Sequence, residues 1–207
     1  NTQPDHLLAQ LVRTSEYFKM HVQYKKSIDY MDALGYGLER RAEHSRWPMK
    51  WMLQEESQRM YRYENVIWNY YDHHFIISKK DALKIRVPQP HRMIILANGI
   101  DTHYFKRSAK TLGDKIVFTG NMGYPPNVDA ALFLIRQVMP LVWKINPHIS
   151  VVIAGADPDT ILLREKSSHI TITGRVEDIR NYYDQAALFV APMRMGTGMQ
   201  NKILEAM

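Results

Sequence analysis

The sequence predicts an α/β protein built on parallel sheets. Short apolar runs that suit strands alternate with helix-forming segments along most of the 207 residues. In the second half most of these runs end in glycine, as parallel strands do where their carboxyl ends form a ligand-binding edge. The hydrophobic content of 45% can bury one large or two small cores, so we expect a folded chain.

Composition excludes several kinds of site. Without cysteine the chain has neither disulfides nor thiolate metal sites, which is compatible with a reducing cytoplasm. No apolar run is long enough to span a bilayer. Because the chain begins at Asn1 and ends at Met207 inside a helix without a capping residue, we expect a piece of a longer protein. In keeping with the absence of cysteine, we expect that protein to be cytoplasmic.

The net charge of +6 lies entirely in the first half. Residues 1–110 hold 18 Lys and Arg against 12 Asp and Glu, whereas residues 111–207 hold 9 of each. The basic residues are scattered among helices without a nucleic-acid-binding motif, so we expect no nucleic-acid partner and favour peripheral contact with the inner face of the cell membrane. An ordinary basic surface explains the same charge.

The first half is expected to begin with an amphipathic helix. The apolar side chains at positions 7, 8, 11, 12 and 17 suit such a helix, which would end near Met20. Residues 26–31 follow as a short strand that brings Asp29 and Asp32 to its far end. These carboxylates are compatible with an acid/base pair or a magnesium site, but without a third oxygen ligand a helix cap and a surface loop explain them better.

A long helix is predicted over residues 48–71, with Pro48 at its first position. The stripe expected to face the core comprises Met49, Leu53, Met60, Tyr63, Ile67 and Tyr70. Trp51, Tyr61 and Trp68 lie off this stripe and would meet an acceptor lipid, a neighbouring domain or a missing part of the protein. His73 and His74 follow on opposite faces of a strand, so they are a poor metal pair.

Two more strands, at residues 75–78 and 93–96, complete the first half, with Ser78 as the cap of the helix that follows. Asn98 and Gly99 predict a sharp turn. Residues 105–114 are polar, basic and aperiodic, which marks a boundary. We therefore expect one domain over residues 1–108 and a second over residues 109–207.

The second half is more regular. Strands are predicted at residues 115–119, 149–154, 170–173 and 187–192, the last one buried, and helices at 127–139, at 178–185 and after the last glycine loop. Pro140 should kink or end the first of these helices. The strands run into Gly120, Gly155, Gly174 and the loop at residues 196–198, so these junctions should share one rim.

The last junction is the strongest candidate site. Gly196 and Gly198 let the backbone approach a ligand, and the N–H groups of the following helix can hold a phosphate. Arg194 and Lys202 bring positive charge, whereas Glu205 is suited to accept hydrogen bonds from sugar hydroxyls. These features predict a nucleotide-sugar site; the alternative is an ordinary βα turn with solvated side chains.

Several segments, in this order, resemble the donor domain of family 4 glycosyltransferases, in particular the bacterial exopolysaccharide-type sugar transferases. They are VFTGNM at 117–122, PPNVDA at 125–130, GRV at 174–176, GTG at 196–198 and NKILEAM at 201–207. IDYMDAL at 28–34, YE at 63–64 and NGID at 98–101 are similar to the same family.

The resemblance implies the GT-B fold of two Rossmann-like domains, both incomplete here. It also implies a hexosyltransferase type of enzyme that moves a sugar from a UDP- or GDP-linked donor to a glycan or lipid-linked acceptor. The reaction would retain the anomeric configuration and use neither a metal nor a cofactor. The isolated piece is expected to be weak or inactive, since such enzymes react in a cleft between two complete domains.

Roles for the donor-site residues come from the same resemblance. Glu205 would hold the ribose hydroxyls, the loop at residues 196–198 would lie against the diphosphate and sugar, and the turn of Gly174 and Arg175 would meet the base. Gly120, after the first strand of the domain, would belong to the same site.

The chain departs from the family in three ways, the first being that the N-terminal glycine loop and the acceptor-side histidine expected early in the first domain are absent. The usual phosphate-binding Arg and Lys fall on Asn121 and Pro126, and the first of two loop glutamates falls on Thr197. Arg194 and Lys202 are therefore the candidate sources of positive charge. These losses keep other interpretations open, namely a non-catalytic nucleotide-binding or scaffold module, or another GT-B enzyme such as an epimerase or a phosphorylase.

Overall fold

The structure, a computed structural model, describes residues 3–106, 114–195 and 198–207. Contacts divide the described chain into a first unit of residues 3–99 with 198–199 and a second unit of residues 100–106, 114–195 and 200–207. Each unit contains a four-stranded, wholly parallel sheet. The predicted α/β class with two parallel-sheet domains is confirmed. The domain boundary predicted between residues 108 and 109 lies outside the described residues.

The first unit has its strands in sequential order across the sheet. They are β1 (His6–Gln10), β2 (Lys25–Asp29), β3 (His73–Ile76) and β4 (Ile94–Ile95). The helices are α1 (Ser15–Phe18), α2 (Leu34–Glu43), α3 (Met49–Trp68) and α4 (Lys79–Ala82). As predicted, Ser78 caps α4, because its side chain accepts a hydrogen bond from the Asp81 N–H.

The helix predicted to end near Met20 is wrong over its first half. Residues 6–10 form β1, which pairs in parallel with β2 from His6 opposite Lys25 to Gln10 opposite Asp29. The strand ends at Gln10, and the next residue, Leu11, has a φ of 71°, which interrupts any helix. The spacing of apolar residues in this segment fits a helix or a strand. The segment forms a strand because the edge of β2 offers it backbone hydrogen bonds.

The buried face of α3 also differs from the prediction. Tyr61 and Trp68, predicted to lie off the core, are only 4% and 8% exposed, whereas Met49 and Tyr70 are 51% and 39% exposed. The cause is Gly35 of α2, where a Cβ would lie 2.7 Å from Cδ1 of Tyr61. The small residue lets α2 approach the aromatic face, so packing against α2 selects the buried side of α3.

Glu64 of α3 is fully buried in this packing. The Gly35 N–H, in the first turn of α2, donates to Oε1 of Glu64 at 3.0 Å, while Oε2 has no hydrogen-bond partner. Burial raises the pKa of Glu64 to about 7, against the opposing effect of the Gly35 hydrogen bond. Glu64, in the last third of α3, thus accepts a hydrogen bond from a first-turn N–H group of α2, which has no partner within its own helix.

The second unit contains β5 (Lys115–Thr119), β6 (Ser150–Ala154), β7 (Ile170–Ile172) and β8 (Ala186–Phe189), in the order β7-β6-β5-β8. Its helices are α5 (Pro125–Phe133), α6 (Met139–Ile145), α7 (Thr160–Leu163), α8 (Arg180–Asp184) and α9 (Asn201–Ala206). The main core joins the sheet to the helices through Phe118, Met122, Leu134, Met139, Ile153 and Leu162.

Two details of the second unit correct the sequence predictions. Pro140, predicted to kink or end the helix, does not end it, because a π-helical turn over Leu134–Val138 lies between α5 and α6 and places the proline in the first turn of α6. A first-turn proline loses no α-helical hydrogen bond. β8 is not a buried strand: it lies at the edge of the described sheet, and Leu188 is 56% exposed.

Gly120, Gly155 and Gly174 follow β5, β6 and β7 and share one rim, as predicted. The Gly120 N–H donates to the carbonyl of Ala154 at 3.1 Å, and the Gly155 N–H donates to the carbonyl of Gly174 at 3.2 Å. All three glycines have positive φ values, of 155°, 147° and 78°. A Cβ on Gly155 would lie 1.7 Å from the carbonyl oxygen of Gly120, so glycine is required there.

Replacing Glu64 by Gln should change how stability depends on pH. Because the folded pKa of about 7 lies above the ordinary 4.5, the folded state holds the proton more tightly than the unfolded state. The free energy of unfolding of the wild type should therefore fall by up to about 3 kcal/mol as pH rises from 4.5 through 7. Urea denaturation across this range should show a smaller fall for Glu64→Gln, whose amide oxygen still accepts from Gly35. Glu55→Gln, at an exposed position of α3, is the control, and parallel curves for Glu64→Gln and wild type would contradict the prediction.

Substitution of Gly155 by Ala should lower the free energy of unfolding by about 3 kcal/mol or more, since the new Cβ meets backbone atoms of Gly120. Gly174→Ala separates the two causes. Its Cβ meets nothing within 4 Å but must adopt a φ of 78°, which should cost about 1 kcal/mol. Gly99→Ala, with no atom within 4 Å, is the control. Equal denaturation midpoints for Gly155→Ala and Gly99→Ala would contradict the close approach.

Candidate functional site

Lys202 lies at the carboxyl end of β5, where the sequence predicted a ligand edge. Its Nζ donates to Oδ1 of Asn127 at 2.7 Å and lies 4.6 Å from the ring centroid of Phe118. Gly120 makes room for it, because a Cβ there would be 3.1 Å from Nζ. Burial lowers the pKa of Lys202 to about 8, and the nearby Glu205 carboxylate opposes this shift.

Glu205 is on the same helix, α9, and is anchored to the sheet through a tyrosine. Tyr183 donates its hydroxyl hydrogen to Oε2 of Glu205 at 2.8 Å, so the 2.9 Å bond between Tyr183 and Oγ1 of Thr119 has threonine as the donor. Burial raises the pKa of Tyr183, which keeps it a neutral donor. Tyr183 and Glu205 line an open pocket of about 280 Å³.

The first turn of α5 offers a ligand no backbone donors. Pro125 and Pro126 lack N–H groups, and the N–H groups of Asn127 and Val128 both donate to the carbonyl of Tyr124, at 2.9 and 3.1 Å. A phosphate bound at this edge would therefore have to be held by side chains or by α9. The start of α5 differs in this from helix starts that bind phosphate through free N–H groups.

Asn121 stabilises its own loop. Its Oδ1 accepts from the Gly123 N–H at 2.8 Å, and its carbonyl accepts from Nδ2 of Asn127 at 2.9 Å. Asn127 thus bonds to the loop with its amide nitrogen and to Lys202 with its amide oxygen. The structure brings Gly120, Lys202 and Glu205 to one sheet edge and places Asn121 beside them.

Arg194 is bound by a carboxylate of α5. Its Nε donates to Oδ2 of Asp129 at 3.0 Å, its Nη2 donates to Oδ1 of the same residue, and its guanidinium lies 4.7 Å from the ring centroid of Phe133. Such a two-bond pair neutralises the charge and orients the side chain. The structure therefore gives Arg194 a local structural partner, unlike Lys202, whose polar partner is a neutral amide.

Of the four remaining predicted site residues, the structure describes two, Arg175 and Gly198. Arg175 is exposed after Gly174. Gly198 has a φ of 76°, and its contacts assign it to the first unit. Gly196 and Thr197 are not among the described residues.

Asn127, Tyr183 and Thr119 contribute to the site and escaped the sequence prediction. Their partners are distant in sequence: Asn127 and Lys202 are 75 positions apart, and Tyr183 and Glu205 are 22 apart. The available signal was an amide side chain at the start of the mostly apolar α5 segment; the structure buries it, and a buried polar side chain needs a partner.

Within residues 3–106, 114–195 and 198–207, no group of three or more His, Cys, Asp or Glu side chains is arranged to hold a metal ion. No helix formed by these residues has the length and apolar character needed to cross a membrane.

Residues 113–207 match the family model described as glycosyl transferases group 1. An uncharacterized 44.6 kDa protein in the cps region of Klebsiella pneumoniae is 30% identical over 101 residues, which cover 44% of this chain and 26% of that protein. The chain therefore spans about a quarter of the length of this curated relative.

Two solved structures share the fold. TarM of S. aureus is 13% identical with a TM-score of 0.69 over 97% of this chain and 38% of its own. Anabaena Alr3699/HepE in complex with UDP is 13% identical with a TM-score of 0.72 over 98% of this chain and 57% of its own. At these identities the likeness concerns the fold alone, and it confirms the GT-B fold that the sequence predicted.

Proposed function

We propose that the whole protein is a retaining glycosyltransferase of the hexosyltransferase type. It moves a sugar from a nucleotide-sugar donor to a glycan or lipid-linked acceptor in polysaccharide biosynthesis, with neither a metal nor a cofactor. The observation that carries the proposal is the position of Lys202 and Glu205, one turn apart on α9, at the glycine rim of the matched segment. The cps-region relative supports the polysaccharide role.

Lys202 is assigned to the diphosphate of the donor. A nucleotide-sugar donor loses its diphosphate as the leaving group, and the negative charge that develops there is stabilised best by a cation already held in place. Asn127 and Phe118 hold Lys202 without neutralising it. Uridine nucleotides are the first donors to test, because HepE was crystallised with UDP and with UDP-glucose.

Glu205 is assigned to the ribose hydroxyls. A carboxylate accepts hydrogen bonds from two neighbouring hydroxyls, and the Tyr183 hydroxyl leaves further acceptor sites on Glu205 free for them. The rim glycines let the nucleotide approach the backbone, and the base would lie beside Gly174 and Arg175. Arg194, bound to Asp129, positions the start of the donor loop.

The second candidate is a non-catalytic nucleotide-binding or scaffold module, which the absence of backbone donors at the start of α5 favours. Incubation of the whole protein with a donor labelled in its sugar separates the candidates. Label in a glycan or lipid product indicates a transferase, label in a sugar phosphate that requires inorganic phosphate indicates a phosphorylase, and a donor of changed configuration indicates an epimerase. Nucleotide binding without any product supports the module.

Replacing Glu205 by Ala should weaken binding of UDP or GDP roughly tenfold to a hundredfold, because hydrogen bonds to a charged acceptor are lost. Tyr183→Phe keeps the carboxylate and should weaken binding only a few-fold. Calorimetry with the diphosphates measures both effects. A nucleotide without ribose hydroxyls is the control, since it should bind equally to wild type and to Glu205→Ala. Undiminished affinity of UDP and GDP for Glu205→Ala would contradict the assignment of Glu205 to the ribose hydroxyls.

The affinity for UDP should depend on the protonation of Lys202. With a pKa of about 8, Lys202 loses its charge as pH rises through that value, so phosphate binding weakens. Arginine stays charged, so Lys202→Arg also corrects for titration of the ligand itself. Between pH 6.5 and 8.5 the wild-type affinity should fall roughly fourfold relative to that of the Arg variant. Calorimetry at several pH values checks this, and a constant ratio would exclude Lys202 as the phosphate contact.

A further inference from the structure

Residues 46–52, between α2 and the second turn of α3, form an exposed segment that we call the α2–α3 tip. All seven residues are exposed, and Leu53 is the first buried side chain after them. Four of the seven are large and apolar: Trp47 is 83% exposed, Met49 51%, Trp51 60% and Met52 51%. Exposure of two tryptophans and two methionines within one short segment indicates a surface that binds a protein, a membrane or a ligand.

The backbone of the α2–α3 tip is hydrogen-bonded as a helical turn. The Lys50 N–H donates to the carbonyl of Arg46 at 2.9 Å, and the Met52 N–H donates to that of Pro48 at 3.2 Å. The helices behind the tip are joined closely, since Ser57 Oγ donates to the carbonyl of Gly35 at 2.8 Å. The apolar side chains are therefore presented by a firmly packed helix pair.

The charge of the α2–α3 tip is of one sign. Arg46 and Lys50 are its charged residues, and no Asp or Glu occurs between residues 44 and 54. In the described part of the chain neither Arg46 nor Lys50 takes part in an ion pair. Both cations are therefore available to an anionic partner, immediately beside the apolar side chains.

We infer that the α2–α3 tip binds the surface of an anionic lipid bilayer. Tryptophan has an apolar body and one N–H donor, which suits the level of the headgroups, and methionine reaches into the acyl boundary. Arg46 and Lys50 then meet the lipid phosphates. This surface involves none of the donor-site residues, so the inference is independent of the proposed function.

Vesicle binding by the 207-residue chain tests the inference. Co-sedimentation is measured at low salt with phosphatidylcholine vesicles that contain or lack phosphatidylglycerol. The wild type should bind the anionic vesicles, and added salt should release it. Arg46→Gln with Lys50→Gln should weaken this binding roughly fivefold for each charge removed. Trp47→Ser with Trp51→Ser should weaken it at least about tenfold, since both interfacial anchors are lost.

Matched controls lie in the second unit. Ile145 is 89% exposed, so Ile145→Ser removes an exposed apolar side chain at a different place. Lys144→Gln with Lys166→Gln removes the same amount of charge from exposed positions. Both controls should bind vesicles as the wild type does. If the tryptophan variant fails to fold by circular dichroism, the Arg46 and Lys50 variant carries the test.

Tryptophan fluorescence gives a second readout. Trp47 and Trp51 should shift to shorter wavelength on vesicle addition and be quenched by brominated lipids, and this response should be absent from Trp47→Phe with Trp51→Phe. Absence of binding to anionic vesicles, or binding unaffected by the tip variants, overturns the inference. So does concentration-dependent dimerisation in sedimentation velocity that the tryptophan variant abolishes, since the α2–α3 tip would then be a contact between copies of the chain.

Discussion

The close approach of Gly155 to the carbonyl of Gly120 is the constraint on which the second sheet edge depends. It lets β5 and β6 pair in register to their last residues, Thr119 opposite Ala154, and then turn away together. The space beside Gly120 is thereby left for the Asn127 amide and the Lys202 ammonium group. A side chain on either glycine would require the backbone or these polar groups to move.

The charged groups at this edge differ in what holds them. Lys202 is bonded to a neutral amide and Glu205 to a neutral hydroxyl, so the two charges on α9 are positioned without being cancelled. Arg194 is instead neutralised by Asp129. Neutral partners suit groups that must still bind a ligand, whereas an ion pair suits a group that orients a loop.

In the first unit, α3 departs from the usual distribution of polar and apolar side chains at both ends. Its first turn exposes Met49, Trp51 and Met52, while Glu64 near its far end is fully buried. Contact with α2 explains the far end, because Gly35 admits the helix closely and its N–H bonds to the carboxylate. No described neighbour covers the first turn, whose exposed apolar side chains beside unpaired cations suit an anionic surface.

The sequence by itself determined the α/β class, the parallel strands of the second unit, the Ser78 cap and the glycine rim, since apolar runs, cap residues and glycines act locally. The spacing of its apolar residues predicted a helix where β1 lies and the wrong buried face for α3. These two features are decided by a partner strand and by a glycine on another helix. Only the tertiary structure showed that Asn127 holds Lys202, that Tyr183 holds Glu205 and that Asp129 binds Arg194. Each of these depends on residues far apart in the chain, whose meeting is set by sheet order and helix packing and leaves no periodic signal.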